Sequence, residues 1–193
     1  MGTYRQNLYF IGIIPPEPVY TEVREFQQHM ADAYHSKEAL KTPPHITLIP
    51  PFQISEVREP ELISFLERFA SQQQPFELSV DGFGSFTTGV IYAALKAEDN
   101  LQKLEKDLSL SFYKKFIVAR GPSHAYIPHI TIAFKDLMPP IFPKAWDEFK
   151  SKLYRRKWKL QEITLLKHSG KEWAIDRKFS IDDVQDFDLF STF

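Results

Sequence analysis

Two histidines in this chain sit in the same four-residue frame. Pro44-His45-Ile46-Thr47 and Pro128-His129-Ile130-Thr131 repeat the string Pro-His-Ile-Thr about eighty residues apart. Successive side chains of a strand point to opposite faces, so His45 shares a face with Thr47, and His129 with Thr131. Ile46, Leu48, Ile130 and Ile132 take the other face and seek a core. An unperturbed imidazole titrates at about pH 6.5, so modest shifts leave one ring neutral and another protonated. If the frames face each other across a gap, two imidazoles and two hydroxyls converge on one small volume. The neutral ring then takes a proton from an attacking hydroxyl or water, and the protonated ring gives one to a departing oxygen. Each role is worth about 10²–10⁴ in rate. The hydroxyls of Thr47 and Thr131 can donate to non-bridging phosphate oxygens. The set suits phosphodiester chemistry without a metal.

The elements that must carry these frames follow from pattern. Leu8–Ile14 is apolar and β-rich and predicts a buried strand. Val19, Val23, Phe26, Met30 and Ala33 recur at helical spacing, giving a helix over about 18–34. His45–Phe52 is the next strand, and Leu62, Phe65, Leu66 and Phe69 mark a second helix. Phe76–Phe83 and Val90–Lys96 predict strands joined by the turn Gly84–Gly89. Asp99 is placed as the N-cap of a helix carrying Leu101, Leu104, Leu108 and Phe112. His129–Phe134 is a strand, and a helix follows around Trp146, Phe149 and Leu153. Leu160–Lys167 and Trp173–Phe179 read as a closing hairpin. The order strand, helix, strand, helix, strand thus occurs twice, over about 8–83 and 90–179. Each Pro-His-Ile-Thr string opens the middle strand of its half. That agreement predicts an α+β duplication: two lobes about a pseudo-twofold axis within a single domain spanning 1–193.

Composition narrows the class. The 193 residues are 43% hydrophobic and 25% charged, which argues against disorder and against a membrane bundle. Lys and Arg total 24 against 25 Asp and Glu, a net charge of −1. Sequence-blind binding to long duplexes is not expected of such a surface, since that affinity rests on many phosphate contacts. The absence of cysteine excludes disulfides, thiolate metal sites and a cysteine nucleophile. Leu8–Ile14 is too short to span a bilayer and makes a poor signal peptide, so the cytoplasm is the default compartment.

On these residues the chain resembles the two-histidine (2H) phosphoesterase superfamily, close to the bacterial 2′-5′ RNA ligase family proteins. The signature is a pair of His-x-Thr-hydrophobic motifs, intact here as His45-Ile46-Thr47-Leu48 and His129-Ile130-Thr131-Ile132. The opening strand, the Gly82-Phe83-Gly84-Ser85-Phe86 segment and the leucine-spaced helix after Asp99 also resemble the family, over about 8–179. The resemblance implies a bilobal fold, with mainly antiparallel sheets lining a central groove, helices outside and strands that can cross between lobes. It implies hydrolysis of 2′,3′-cyclic phosphate ends of RNA or small nucleotides, with no metal and no cofactor. His45 and His129 would be the acid–base pair, and Thr47 and Thr131 the phosphate-binding pair. The alternatives are a 2′-5′ RNA ligase and a nucleotide- or RNA-binding module without turnover. The partner is then an RNA end or a small cyclic-phosphate nucleotide, with no membrane involved and a monomer expected.

Further candidates lie near the second motif. Tyr126 and His124 precede it, where a ring could stack on a base or simply cover the core. Arg120 in the same loop is a surface arginine or a phosphate contact. Relatives often carry a basic residue after the second motif. Here that residue is Lys135, which shares the His129 face if strand alternation continues. Tyr9, Phe10 and Tyr92 lie on predicted central strands, where most are expected in the core, though one ring per strand could line the groove. The basic run Lys150–Lys159 reads as a solvated helix face or as a patch steering RNA. His29, His35 and His168 have no repeat partner and receive no role.

Overall fold

The structure, a computed structural model, describes residues 4–86, 89–96, 98–116 and 125–181. It is an α+β fold with eight strands in one antiparallel sheet and four α-helices among the described residues. In chain order the elements are β1 (Gln6–Ile13), α1 (Val19–Tyr34), β2 (Ile46–Ser55), α2 (Glu59–Ala70), β3 (Glu77–Phe86), β4 (Val90–Leu95) and α3 (Asp99–Lys115). They continue as β5 (His129–Ala133), α4 (Phe142–Phe149), β6 (Arg155–Lys159), β7 (Glu162–His168) and β8 (Trp173–Ser180). The strand order is β6-β3-β4-β5-β2-β1-β7-β8. One pairing, Ile46 with Ile130, joins the four strands around β5 to the four around β2, so the sheets expected on either side of the groove are continuous. The spatial halves are not the sequence halves: β3 lies with the second motif and β7 with the first. Helices cross over in the same way, α1 packing on β5 and α3 on β2.

The sheet's two faces differ. Tyr9, Ile11, Ile46, Leu48, Ile91, Ala93, Ile130, Ile132, Ile163 and Leu165 point into one core. The helices close that face with Val23 and Met30 of α1, Leu62 and Leu66 of α2, Leu104, Leu108 and Phe112 of α3, and Phe149 of α4. Prolines at the starts of α2 and α4 suit a first turn whose N–H groups lack intrahelical partners. The opposite face carries Phe10, Tyr92 and Leu166, which are buried but outside that core. His45, Thr47, His129 and Thr131 lie on this second face.

Several local expectations are corrected. β3 runs on to Phe86, so Gly84–Phe86 is strand rather than turn. Gly82 takes a φ of 76° at an irregularity in the β3–β4 register. Asp99 is the first residue of α3, not its cap. Glu98 holds the cap position with its carboxylate turned to the Ser79 hydroxyl at 2.5 Å. α4 stops at Phe149, and Leu153, expected on its apolar face, is 86% exposed. Arg155–Lys159 is the edge strand β6, laddered to β3, and not a helix face. Charge conceals such a strand in the sequence, because an edge protects itself with Lys and Arg. Arg155 pairs with Asp81 at 2.8 Å, Arg156 with Glu22 at 2.5 Å and Lys157 with Glu77 at 2.6 Å, which offsets the field expected to steer RNA.

Candidate active site

Both motifs are presented alike. Pro44 and Pro128 are buried at the strand entrances, where a missing N–H costs no ladder bond. The Nδ1–H of His45 donates to the carbonyl of Pro43 at 2.8 Å, and that of His129 to the carbonyl of Ile127 at 2.7 Å. A carbonyl only accepts, so each neutral ring carries its proton on Nδ1 and leaves Nε2 for chemistry. The strands run antiparallel through the Ile46–Ile130 pair. One step along each strand brings Thr47 toward His129 and His45 toward Thr131, on the face away from the core. All four side chains are half-buried. Among the described residues, neither threonine hydroxyl is committed to a protein partner.

Aromatic rings fix each imidazole from the neighbouring strand. Phe10 of β1 lies 4.6 Å from His45, and Trp173 of β8 meets Phe10 edge-on at 4.7 Å. Tyr92 of β4 and Phe86 of β3 each lie 5.0 Å from His129. Phe10 and Tyr92 are thus the groove-facing rings, while Tyr9 belongs to the core. Glycine makes room for both. A Cβ on Gly12 would come within 2.7 Å of the Ile46 carbonyl and 3.3 Å of the Phe10 ring, and one on Gly84 within 2.5 Å of the Tyr92 ring.

These surroundings set the proton affinities. Burial holds the His45 pKa down to about 4, partly opposed by its bond to Pro43 and reinforced by the nearness of His129. Burial also lowers the His129 pKa, opposed by the bond to Ile127. Both rings are thereby held toward their neutral form.

The lesser candidates divide. Tyr126 donates its hydroxyl to the Thr47 carbonyl at 3.1 Å, and its own carbonyl accepts from Gln102 at 3.2 Å. It braces β2 and lines a groove of about 1070 Å³ that runs from Thr47 and His129 past Phe86 along Leu110 of α3. Lys135 leaves the alternation, because β5 ends at Ala133 and Lys135 takes a φ of 62°. Its exposed ammonium lies 5.2 Å from the Phe134 ring. His124 and Arg120 lie outside the described residues. Of the unassigned histidines, His29 pairs with Glu148 at 2.8 Å and His168 packs on Trp173 at 4.9 Å. Sequence patterns single out neither Trp173, Gln27 nor Arg24 for the site. The one available signal is Gln27, a polar residue one turn after Val23 in the apolar stripe of α1. Among the described residues, no cluster of three or more His, Cys, Asp or Glu side chains is placed to hold a metal. No helix among them is long and apolar enough to cross a membrane.

Residues 15–172 match the family model described as the 2′-5′ RNA ligase superfamily. The chain belongs to that superfamily. Among relatives of this superfamily member is a Geobacillus kaustophilus protein named "Putative phosphoesterase", 31% identical over 144 residues, which span 74% of this chain and 77% of that one. A Geobacillus thermodenitrificans protein of the same name is 32% identical over 130 residues, spanning 66% and 71%. The crystal structure of TT0787 of Thermus thermophilus superimposes with a TM-score of 0.64 at 20% identity, covering 90% of this chain and 97% of that one. E. coli LigT complexed with 3′-AMP superimposes with a TM-score of 0.57 at 18% identity, covering 92% and 99%. Both superpositions speak to the fold. With the names of the relatives, the family points to a phosphoesterase enzyme.

Proposed function

We propose that this superfamily member hydrolyses 2′,3′-cyclic phosphate ends of RNA or small nucleotides by two-histidine acid–base catalysis. The matched Nδ1–carbonyl bonds carry the reading, because they aim both Nε2 atoms to the same face beside two uncommitted threonine hydroxyls. His45, which burial holds neutral, takes the proton from the attacking water. The water oxygen bonds to phosphorus and the bond to the 2′ or 3′ oxygen breaks. His129 delivers its Nε2 proton to that oxygen, leaving a nucleoside monophosphate. Thr47 and Thr131 donate to the non-bridging oxygens, where charge is held through the transition state. The E. coli LigT structure of similar fold is complexed with 3′-AMP, a nucleoside monophosphate.

The test is turnover of 2′,3′-cyclic nucleotides and of RNA with a cyclic phosphate end, followed by chromatography of the product ends. His45→Ala and His129→Ala are each expected to lower kcat by about 10²–10⁴, and turnover is expected to persist in a chelator. A double variant with wild-type activity refutes the assignment. Formation of 2′-5′ linkages in place of monophosphates makes the protein a ligase, and binding without turnover makes it a recognition module.

A further inference from the structure

We infer that Gln27 and Arg24 of α1 are positioning residues that set how closely the two histidines approach. The inference rests on the acid–base reading of His45 and His129. Among the described residues, a single backbone pair, Ile46 with Ile130, joins the two halves of the sheet directly. A single pair does not by itself fix the angle between two strands. The missing rigidity has an identifiable source in α1.

Gln27 is 2% exposed, an unusual burial for an amide, and both ends of it are used. Its Nε2 donates to the carbonyl of Thr131, within the second motif, at 3.0 Å. Its Oε1 accepts from Arg24 Nη1 at 3.0 Å. The same Nη1 reaches the carbonyls of Leu40 at 3.0 Å and Thr42 at 3.2 Å. Thr42 immediately precedes Pro43, whose carbonyl orients the His45 ring. A continuous polar path therefore runs from Thr131 through Gln27 and Arg24 to the residue that fixes His45. Such a network stiffens when it is buried and fully satisfied. A second tie reinforces it just beyond the end of β5. Asp136 accepts from the Ser36 hydroxyl at 2.8 Å and from the amides of Lys37 at 2.6 Å and Glu38 at 3.0 Å. The segment delivering His45 is thereby held against the segment leaving Thr131. On the opposite side of the Ile46–Ile130 pair, Tyr126 performs the corresponding task on the Thr47 carbonyl.

Gln27→Met tests this, because it keeps the length and removes both hydrogen bonds. Misplacement of about 1 Å costs up to about 10²-fold, so kcat is expected to fall about 10- to 100-fold. KM is expected to change by less than about threefold, since the groups that bind phosphate remain. The limbs of the pH–rate profile are expected to move, because the His45–His129 spacing sets their mutual repulsion. Wild-type kcat and pH profile in Gln27→Met overturn the inference, even if the melting temperature drops. Titration of the two ring nitrogens by NMR, with and without inorganic phosphate, needs no turnover. If the protein hydrolyses no cyclic phosphate, the proposed function fails. Altered ring midpoints in Gln27→Met then still support the positioning role, and wild-type midpoints overturn it. Arg24→Met, which keeps a long side chain but removes the donors to all three acceptors, is read the same way should Gln27→Met fail to fold.

Discussion

Holding His45 neutral inside the fold makes the protein's stability depend on pH in a calculable way. The ring titrates at about 4 when folded and at 6.5 in an ordinary setting. Between those values the unfolded chain binds a proton that the folded chain refuses, so stability falls as pH falls through that window and levels off below it. Integrating the difference gives a loss from this one residue of about 2 kcal/mol on going from pH 7 to pH 5, and about 3 kcal/mol by pH 4. His45→Gln removes the titration. It also removes the bond to Pro43, but that cost is the same at every pH. The assay is urea unfolding of both proteins at pH 7, 6, 5 and 4. Carboxylates such as Glu59 and Glu22, held low by their hydrogen bonds to Tyr9 and Arg156, titrate in both proteins and cancel in the difference. The wild type is expected to lose about 3 kcal/mol more than His45→Gln across the range. Parallel stability–pH curves would show that the ring is hydrated enough to protonate freely, and the acid–base assignment built on its low affinity would fall with it.

Two other substitutions probe the scaffold. Gly84→Ala drives a Cβ to within 2.5 Å of the Tyr92 ring, which must shift from its contact position beside His129. Thermal melts are expected to show a loss of about 1–3 kcal/mol from overpacking, with a changed chemical shift for the His129 ring. Phe112→Ala empties a fully buried position of α3 that touches Phe52, Phe65 and Phe116. Urea unfolding should show a cost of about 3–5 kcal/mol, while the His45 and His129 ring shifts stay at wild-type values because the cavity opens on the far face of the sheet.

Much of this protein was legible in its sequence because the governing rules are local. Period-two alternation placed His45 with Thr47 and His129 with Thr131, and put Ile46, Leu48, Ile130 and Ile132 on the core side. The leucine and phenylalanine spacing of α3 marked the buried stripe that the fold uses. Alternation also failed locally: Lys135 stands beyond the end of β5 in a left-handed conformation, which no count along the chain reveals. What only the tertiary structure decided was pairing. Strand exchange between halves, the Ile46–Ile130 junction, the rings of Phe10 and Tyr92 resting over glycines, and the Gln27–Arg24 path to Thr131 all join residues far apart in the chain. Edge strand β6 was hidden for the same reason, since its charged residues belong in a sheet only because β3 offers a free edge and acidic partners. A sequence specifies the face a side chain takes through the geometry of its own backbone. Which partner it meets there is set by packing of the whole chain.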